Sequence, residues 1–268
     1  MDQQSLIGYT LHLADNALIL GHRNSEWTGF GPILEQDIAL SNIALDLIGQ
    51  ARNYYQYAAR LVNEGAGAAG ADDAAAAGGR PEVNEDTLAY LRDAWDYRNC
   101  LLVEQTNGDW AKTILRLFFF STYQFYFYQY LQESQDKELG AIAEKSYKEV
   151  TYHLRWSSEW VIRLGDGTDE SNRRMKGALD QLWRFTGELF VPADYEKVLV
   201  EKGIAVDAAA LRPPWEERVE AVFQQAGLTK PAASWEQTGG KQGRHTEHLG
   251  YLLAEMQFLQ RAYPGCEW

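Results

Sequence analysis

Apolar residues recur at every third or fourth position along almost the whole chain, and strict β-type alternation is nearly absent. That period matches one face of an α-helix, so the chain reads as an all-α protein. With 268 residues and 46% apolar content it has ample material for a core. A chain of this length typically buries about 75% of its unfolded surface, so one large domain over 1–268 is the expectation. The spacing predicts helices over 5–22, 33–63, 85–106, 110–135, 137–164, 170–190, 213–226 and 244–262. Prolines 32, 81, 192, 213, 214 and 231 fall in or beside the breaks, and Pro264 follows the last helix. Asp109 is placed to cap the fourth helix, and Gly165 with Gly167 to end the fifth through a left-handed turn. Pro213 and Pro214 suit the opening of the seventh.

Two segments decide the architecture. Residues 65–79 read GAGAAGADDAAAAGG, in which clustered glycines outweigh the helix preference of alanine and predict a flexible connection over about 65–80. It follows two long helices and precedes the rest, as the crossover does in a ferritin-like bundle. The segment from about 190 to 268 is then a helical C-terminal extension. The helix at 110–135 carries Phe118, Phe119, Phe120, Tyr123, Phe125, Tyr126, Phe127, Tyr128 and Tyr130. A helix apolar on all sides sits in the centre of a bundle, or is half covered by another subunit.

Charge narrows the partners. Thirty-eight acidic against 25 basic residues give a net charge of −13, a poor match for nucleic acid or an anionic membrane. The most apolar stretch, Ile114 to Leu131, contains Arg116, Gln124 and Gln129, too polar for a lipid-facing span. MDQQSLIGYTLHLADN has neither the basic start nor the apolar core of a secretory signal. Cys100 and Cys266 alone make no disulfide framework. A soluble cytoplasmic protein is the expectation.

A bundle of this kind raises the question of a di-iron site, which takes a Glu from each of two helices and Glu-x-x-His from each of two others. There are five histidines, at 12, 22, 153, 245 and 248. His153 has the right register, but Val150 stands three residues before it and Glu149 four before. On the second helix Leu47 and Gln50 occupy the required spacing, Asp46 is one residue off, and no His occurs between 23 and 152. The scaffold is present and the ligand pattern is not. Asp15 and His153 are placed to hydrogen-bond with each other, or with Asn42, Asp46 and Gln50, since buried polar groups need partners. An atypical set of Asp15, Asp46, Glu149 and His153 is the enzymatic alternative.

His245 and His248 flank Glu247 at a helix start and have metal-binding spacing, but no third or fourth ligand stands near them. A solvated first turn is the ordinary reading. There is no G-x-S-x-G, Walker or Rossmann pattern, so common nucleophile and nucleotide motifs are absent.

Six segments carry a family resemblance: LADNALIL, ALDLIGQARNYYQYAARL, LLVEQTNGDWAKTI, KEVTYHLRWSSEWVIRLGDGT, LWRFTGELF and TGGKQGRHTEHLGYLLAEMQFLQ. They closely resemble the structural (C-type) subunit of bacterial phenylacetyl-CoA epoxidase, over residues 5–263. The resemblance implies a ferritin-like component of a multicomponent monooxygenase in phenylacetate catabolism. It implies no cofactor in this chain, di-iron in a homologous A-type partner, and flavin, iron–sulfur cluster and NADPH in a reductase. The partner epoxidises the ring of phenylacetyl-CoA, and the C-type subunit pairs with it as a heterodimer and supports it structurally. Laid against the A-type motifs, Leu47 and Gln50 replace one Glu and His. Val150 replaces the second Glu while His153 persists, Ser121 replaces a carboxylate, and Asp15 lies near the first helix's Glu. The resemblance also implies acyl-CoA contacts around Asp96, Tyr97, Arg98 and Asn99 and around Lys197, Val198 and Leu199. A helical scaffold for another oxygenase is the remaining alternative.

Overall fold

A computed structural model describes residues 3–69, 82–232 and 235–266. Among these residues there are eleven α-helices and no strand. Four long helices form a ferritin-like bundle: α1 (Gln3–Ser25), α2 (Leu34–Ala69), α5 (Trp110–Leu131) and α6 (Lys137–Gly165). Short turns join α1 to α2 and α5 to α6, which makes each pair antiparallel neighbours. Asp37 fixes the first turn by accepting from the amides of Gly29 and Gly31 at 2.8 and 2.9 Å. Asp136 starts α6 by accepting from Glu138 and Leu139, both at 3.0 Å. Asp109 caps α5 as expected, accepting from the Lys112 amide at 3.0 Å.

Between the pairs runs the long crossover, which includes α3 (Glu85–Tyr90) and α4 (Leu101–Glu104). The expected flexible connection falls mostly outside the described residues, and its first part, 65–69, continues α2. The single helix expected over 85–106 is not formed. A 3-10 turn at Ala94–Asp96 and an extended stretch separate α3 from α4. The backbone there serves other partners: the Arg98 amide donates to Asp15, and the Cys100 amide donates to Asn16 Oδ1 at 2.8 Å. Tertiary bonds have replaced the helical ladder.

Around the bundle lie α7 (Asp169–Leu182), α8 (Asp194–Val200), α9 (Arg212–Ala226), α10 (Glu247–Met256) and α11 (Phe258–Ala262). Pro213 and Pro214 open α9 as expected. Helix α8 has no counterpart in the sequence reading, and the helix expected to reach 190 ends at Leu182 and continues as 3-10 turns. Gly165 and Gly167 do not take left-handed conformations; that turn belongs to Gly227, with φ of 63°, after α9. Gly165 instead allows close contact, because a Cβ there would lie 2.3 Å from the Ala226 carbonyl oxygen.

The aromatic helix is core. Phe118, Phe119, Phe120, Tyr123, Phe127 and Tyr128 are buried, whereas Tyr130 at its end is exposed. The Phe119 ring packs against Trp183, Trp215 and Phe223 with centroids 5.7, 5.7 and 6.1 Å away. These rings come from α5 and the C-terminal segments, so the extension closes over the bundle within one chain. Among the described residues no helix is long and apolar enough to cross a membrane.

Candidate functional site in the bundle interior

The six positions that the family resemblance sets against a metal site, Asp15, Leu47, Gln50, Ser121, Val150 and His153, are all buried. The helical period places them on the inward faces of α1, α2, α5 and α6. What each side chain then does differs from metal ligation. Leu47 and Val150 offer no donor atom. Gln50 Nε2 donates to Glu149 Oε2 at 2.8 Å, and Gln50 Oε1 accepts from the Tyr128 hydroxyl at 3.1 Å. One amide thereby ties α2 to α5 and α6. Burial keeps the Tyr128 phenol protonated by raising its pKa.

His153 pairs with Asp46 across α6 and α2, its Nε2 lying 3.0 Å from Oδ2. The Nδ1 atom of His153 and the hydroxyl of Ser121 are buried without a protein partner. Asp15 faces a different set. It accepts from the Tyr55 hydroxyl at 2.6 Å, the Arg98 amide at 2.8 Å and Arg92 Nη1 at 3.2 Å, and Arg92 Nη2 meets its other oxygen. Burial works against the Arg92 charge, but the carboxylate of Asp15 and the nearby tyrosines raise its pKa further. The charged form is held.

Asp15 and His153 are thus not bonded to each other, and Asp15, Asp46, Glu149 and His153 belong to three separate pairings. Among the described residues no three His, Cys, Asp or Glu side chains gather closely enough to hold a metal ion. A di-iron centre needs carboxylates free to bridge two cations; here apolar side chains, an amide and a bound guanidinium occupy those roles. The donor set does not fit the group. Sequence reasoning missed Arg92, because the spacing of ligands says nothing about a cation arriving from the crossover, and it gave the Tyr55 and Tyr128 hydroxyls no partners.

A second buried polar group lies at the other histidines. Glu104 accepts from His245 Nδ1 at 2.8 Å, Asn99 Nδ2 at 2.8 Å, and the Thr246 backbone amide and hydroxyl, both at 2.7 Å. His245 Nε2 faces the Tyr97 carbonyl at 2.9 Å, so both ring nitrogens donate and the ring is the imidazolium. His248 is not part of this group; its carbonyl accepts from Arg23 at 3.2 Å. Nearby, Lys241 Nζ and Glu196 Oε2 form a buried ion pair at 3.0 Å. His12 donates from Nδ1 to the Arg98 carbonyl at 2.6 Å, and burial pushes its pKa down to about 4. Glu104, and Glu188 through the amides of Leu101, Gly239 and Gly240, pin the segment 239–246 onto the crossover, while Glu196 ties Lys241 to α8.

The profile of the family described as phenylacetic acid catabolic protein matches residues 1–268. The chain belongs to that family. The C subunit of 1,2-phenylacetyl-CoA epoxidase from Escherichia coli (strain K12) is 48% identical over 263 residues, 98% of this chain and 99% of the relative. Within this member of the phenylacetic acid catabolic protein family, the two segments singled out for an acyl-CoA lie near each other. The Arg98 guanidinium sits 5.4 Å from the ring of Tyr195, two residues before Lys197. Tyr97, Asn99 and Leu199 are buried, Arg98 and Val198 half-buried, and Asp96 and Lys197 exposed. Lys197 Nζ pairs with Asp194 at 2.9 Å.

Proposed function

We propose that this chain is the structural, non-catalytic C-type subunit of a phenylacetyl-CoA epoxidase, pairing with a homologous iron-bearing A-type subunit. The observation that carries the reading is the interior of the bundle, where Leu47, Val150 and the Gln50–Glu149 and Asp15–Arg92 pairings stand at ligand positions. The relative, named as the C subunit of 1,2-phenylacetyl-CoA epoxidase, supplies the complex. In this reading iron resides in the A-type subunit, and flavin, iron–sulfur cluster and NADPH in the reductase component. This chain contributes a rigid, fully packed bundle against which the partner's helices hold their geometry. Arg98 and Lys197 are its groups able to meet a CoA phosphate, while Tyr97, Asn99 and Leu199 shape the wall behind them.

Elemental analysis of the chain purified alone and co-expressed with its A-type partner tests this. Negligible iron alone and about two irons per heterodimer are expected. Stoichiometric iron in the lone chain would overturn the reading and return attention to Asp46, Glu149 and His153.

A further inference from the structure

We infer that Arg116 and Asn24 hold a monovalent anion of chloride size in the bundle interior, where the end of α1 meets the start of α5. Arg116 is one of the largest fully buried side chains of the molecule. Its Nη1 donates to the Gln105 carbonyl and its Nη2 to Asn107 Oδ1 at 2.6 Å, and both acceptors are neutral. Its Nε–H is buried and has no protein partner among the described residues. A buried cation without a counter-charge is strongly unfavourable, so protein interiors pair such a group.

The surroundings enlarge the imbalance. Burial and the nearby Arg23 charge lower the Arg116 pKa to about 9, which leaves it charged at neutral pH, and Glu26 offsets only part of this. Burial, then the charges of Arg116 and Arg23, lower the Lys112 pKa as well. The acids that act on these cations are already engaged. Glu26 accepts from Arg23 Nη1 at 2.8 Å with one oxygen and from Asn107 Nδ2 at 2.7 Å with the other. Asp109 caps α5 and faces Arg174 at 3.5 Å. A locally positive interior thus stands inside a chain whose net charge is −13.

Asn24 provides the second contact. It is fully buried, and neither its Nδ2 nor its Oδ1 has a protein partner among the described residues. Trp27 Nε1 donates to Thr113 Oγ1 at 2.9 Å, and the Tyr9 and Phe127 ring centroids lie 6.5 Å apart, so α1 and α5 run antiparallel. One turn back from Trp27 comes Asn24, and one turn on from Thr113 comes Arg116. Asn107 ties the two together: besides accepting from Arg116, it donates at 2.8 Å to the Arg23 carbonyl, the peptide oxygen next to Asn24. Chemistry then selects the occupant. Two N–H donors, one of them cationic, call for an acceptor that carries negative charge. A sulfate or phosphate would bring four oxygens to a site with two free donors. A water would answer Asn24 but leave the guanidinium charge unbalanced. A spherical monovalent anion accepts from both groups and balances Arg116.

Bromide tests the site directly, because it replaces chloride and scatters anomalously. Crystals of the chain grown in bromide should show an anomalous peak within hydrogen-bonding distance of Arg116 Nε and Asn24 Nδ2. In solution the wild-type melting temperature should rise by roughly 2–4 °C for each tenfold increase in chloride above the dissociation constant. Ionic strength is held constant with gluconate, so that general screening does not contribute. Asn24→Leu keeps the size, removes one donor and should lower that slope by half or more, and Arg116→Gln should abolish it. If Arg116→Gln does not fold, Asn24→Leu and the bromide map still decide. Absence of the peak, or an equal chloride slope in wild type and Asn24→Leu, would overturn the inference. A peak without any chloride dependence would mean an adventitious ion only and would overturn it too.

Discussion

Arg92 reaches from the crossover to take both oxygens of Asp15, a fully buried carboxylate on α1. The family resemblance places Asp15 beside a metal ligand, yet its charge is balanced by a guanidinium that also lies 4.3 Å from the Tyr97 ring centroid. Removing one member of such a pair strands the other. Arg92→Met is expected to destabilise the fold by about 3–5 kcal/mol. Asp15→Asn combined with Arg92→Met should recover much of that loss, because neither partner is then left charged. Urea unfolding of both single variants and the double variant measures the coupling. Additive losses would show that the pair does not hold the crossover on α1.

Two helical glycines should respond with opposite signs. Gly165→Ala on α6 places a methyl 2.3 Å from the Ala226 carbonyl oxygen and 2.6 Å from the Ala226 Cβ. The helices must separate, at a cost of roughly 1–3 kcal/mol. Gly49→Ala adds a methyl in open space and should stabilise by about 0.5–1 kcal/mol through helix propensity. Paired melting curves decide it; equal shifts would mean that the α6–α9 contact is loose.

His12 and His245 give opposite pH signatures. Burial opposes the His245 charge, but its bond to Glu104 prevails and raises its pKa above the usual 6.5. Its stabilising contribution is therefore full below about pH 6.5 and is lost as pH rises through the raised folded value. His12, neutral and buried, has its pKa depressed to about 4. Its contribution is full above about pH 6.5 and is lost as pH falls towards about 4. The melting difference between wild type and His245→Gln should be larger near pH 6 than near pH 9. That of His12→Gln should be larger near pH 7 than near pH 4.5. A pH-independent difference for His245→Gln would mean that its ring is not held as the imidazolium.

The helical period made α1, α2, α5 and α6 legible, because each is long enough for its apolar rows to repeat several times. The Asp109 cap and the Pro213–Pro214 start were legible for the same local reason: a single residue type answers a helix end. The crossover was not. Residues 91–100 have helical composition, but their amides and carbonyls bond to Asp15, His12, Asn16 and His245 from distant elements. No local pattern encodes a partner some 80 or more positions away. The interior polar positions could be named from ligand spacing, as with Gln50 and His153. Their actual partners, Glu149 and Asp46, were only near-register residues in the sequence, and Arg92 gave no signal at all.

Glu188 offers the sharpest test of how the C-terminal segment is held. One of its oxygens accepts from the Gly239 and Gly240 amides, both at 2.7 Å, and the other accepts from the Leu101 amide at 2.6 Å. Burial raises its pKa, while these three amides and Lys241 pull it back down. Glu188→Gln keeps the shape but replaces one accepting oxygen with an NH₂ group facing an amide donor. Loss of charge-assisted bonds and the new clash should destabilise by about 2–3 kcal/mol. Gly240 packs closely on the crossover, where an added Cβ would lie 2.2 Å from the Asn99 carbonyl oxygen, so the loss is expected to loosen this contact first. Hydrogen exchange should speed up at the amides of Leu101, Gly239 and Gly240 well before the amides of α5 respond. Uniform acceleration across α5 as well would show that the segment and the bundle unfold as one unit, and that Glu188 is no local latch.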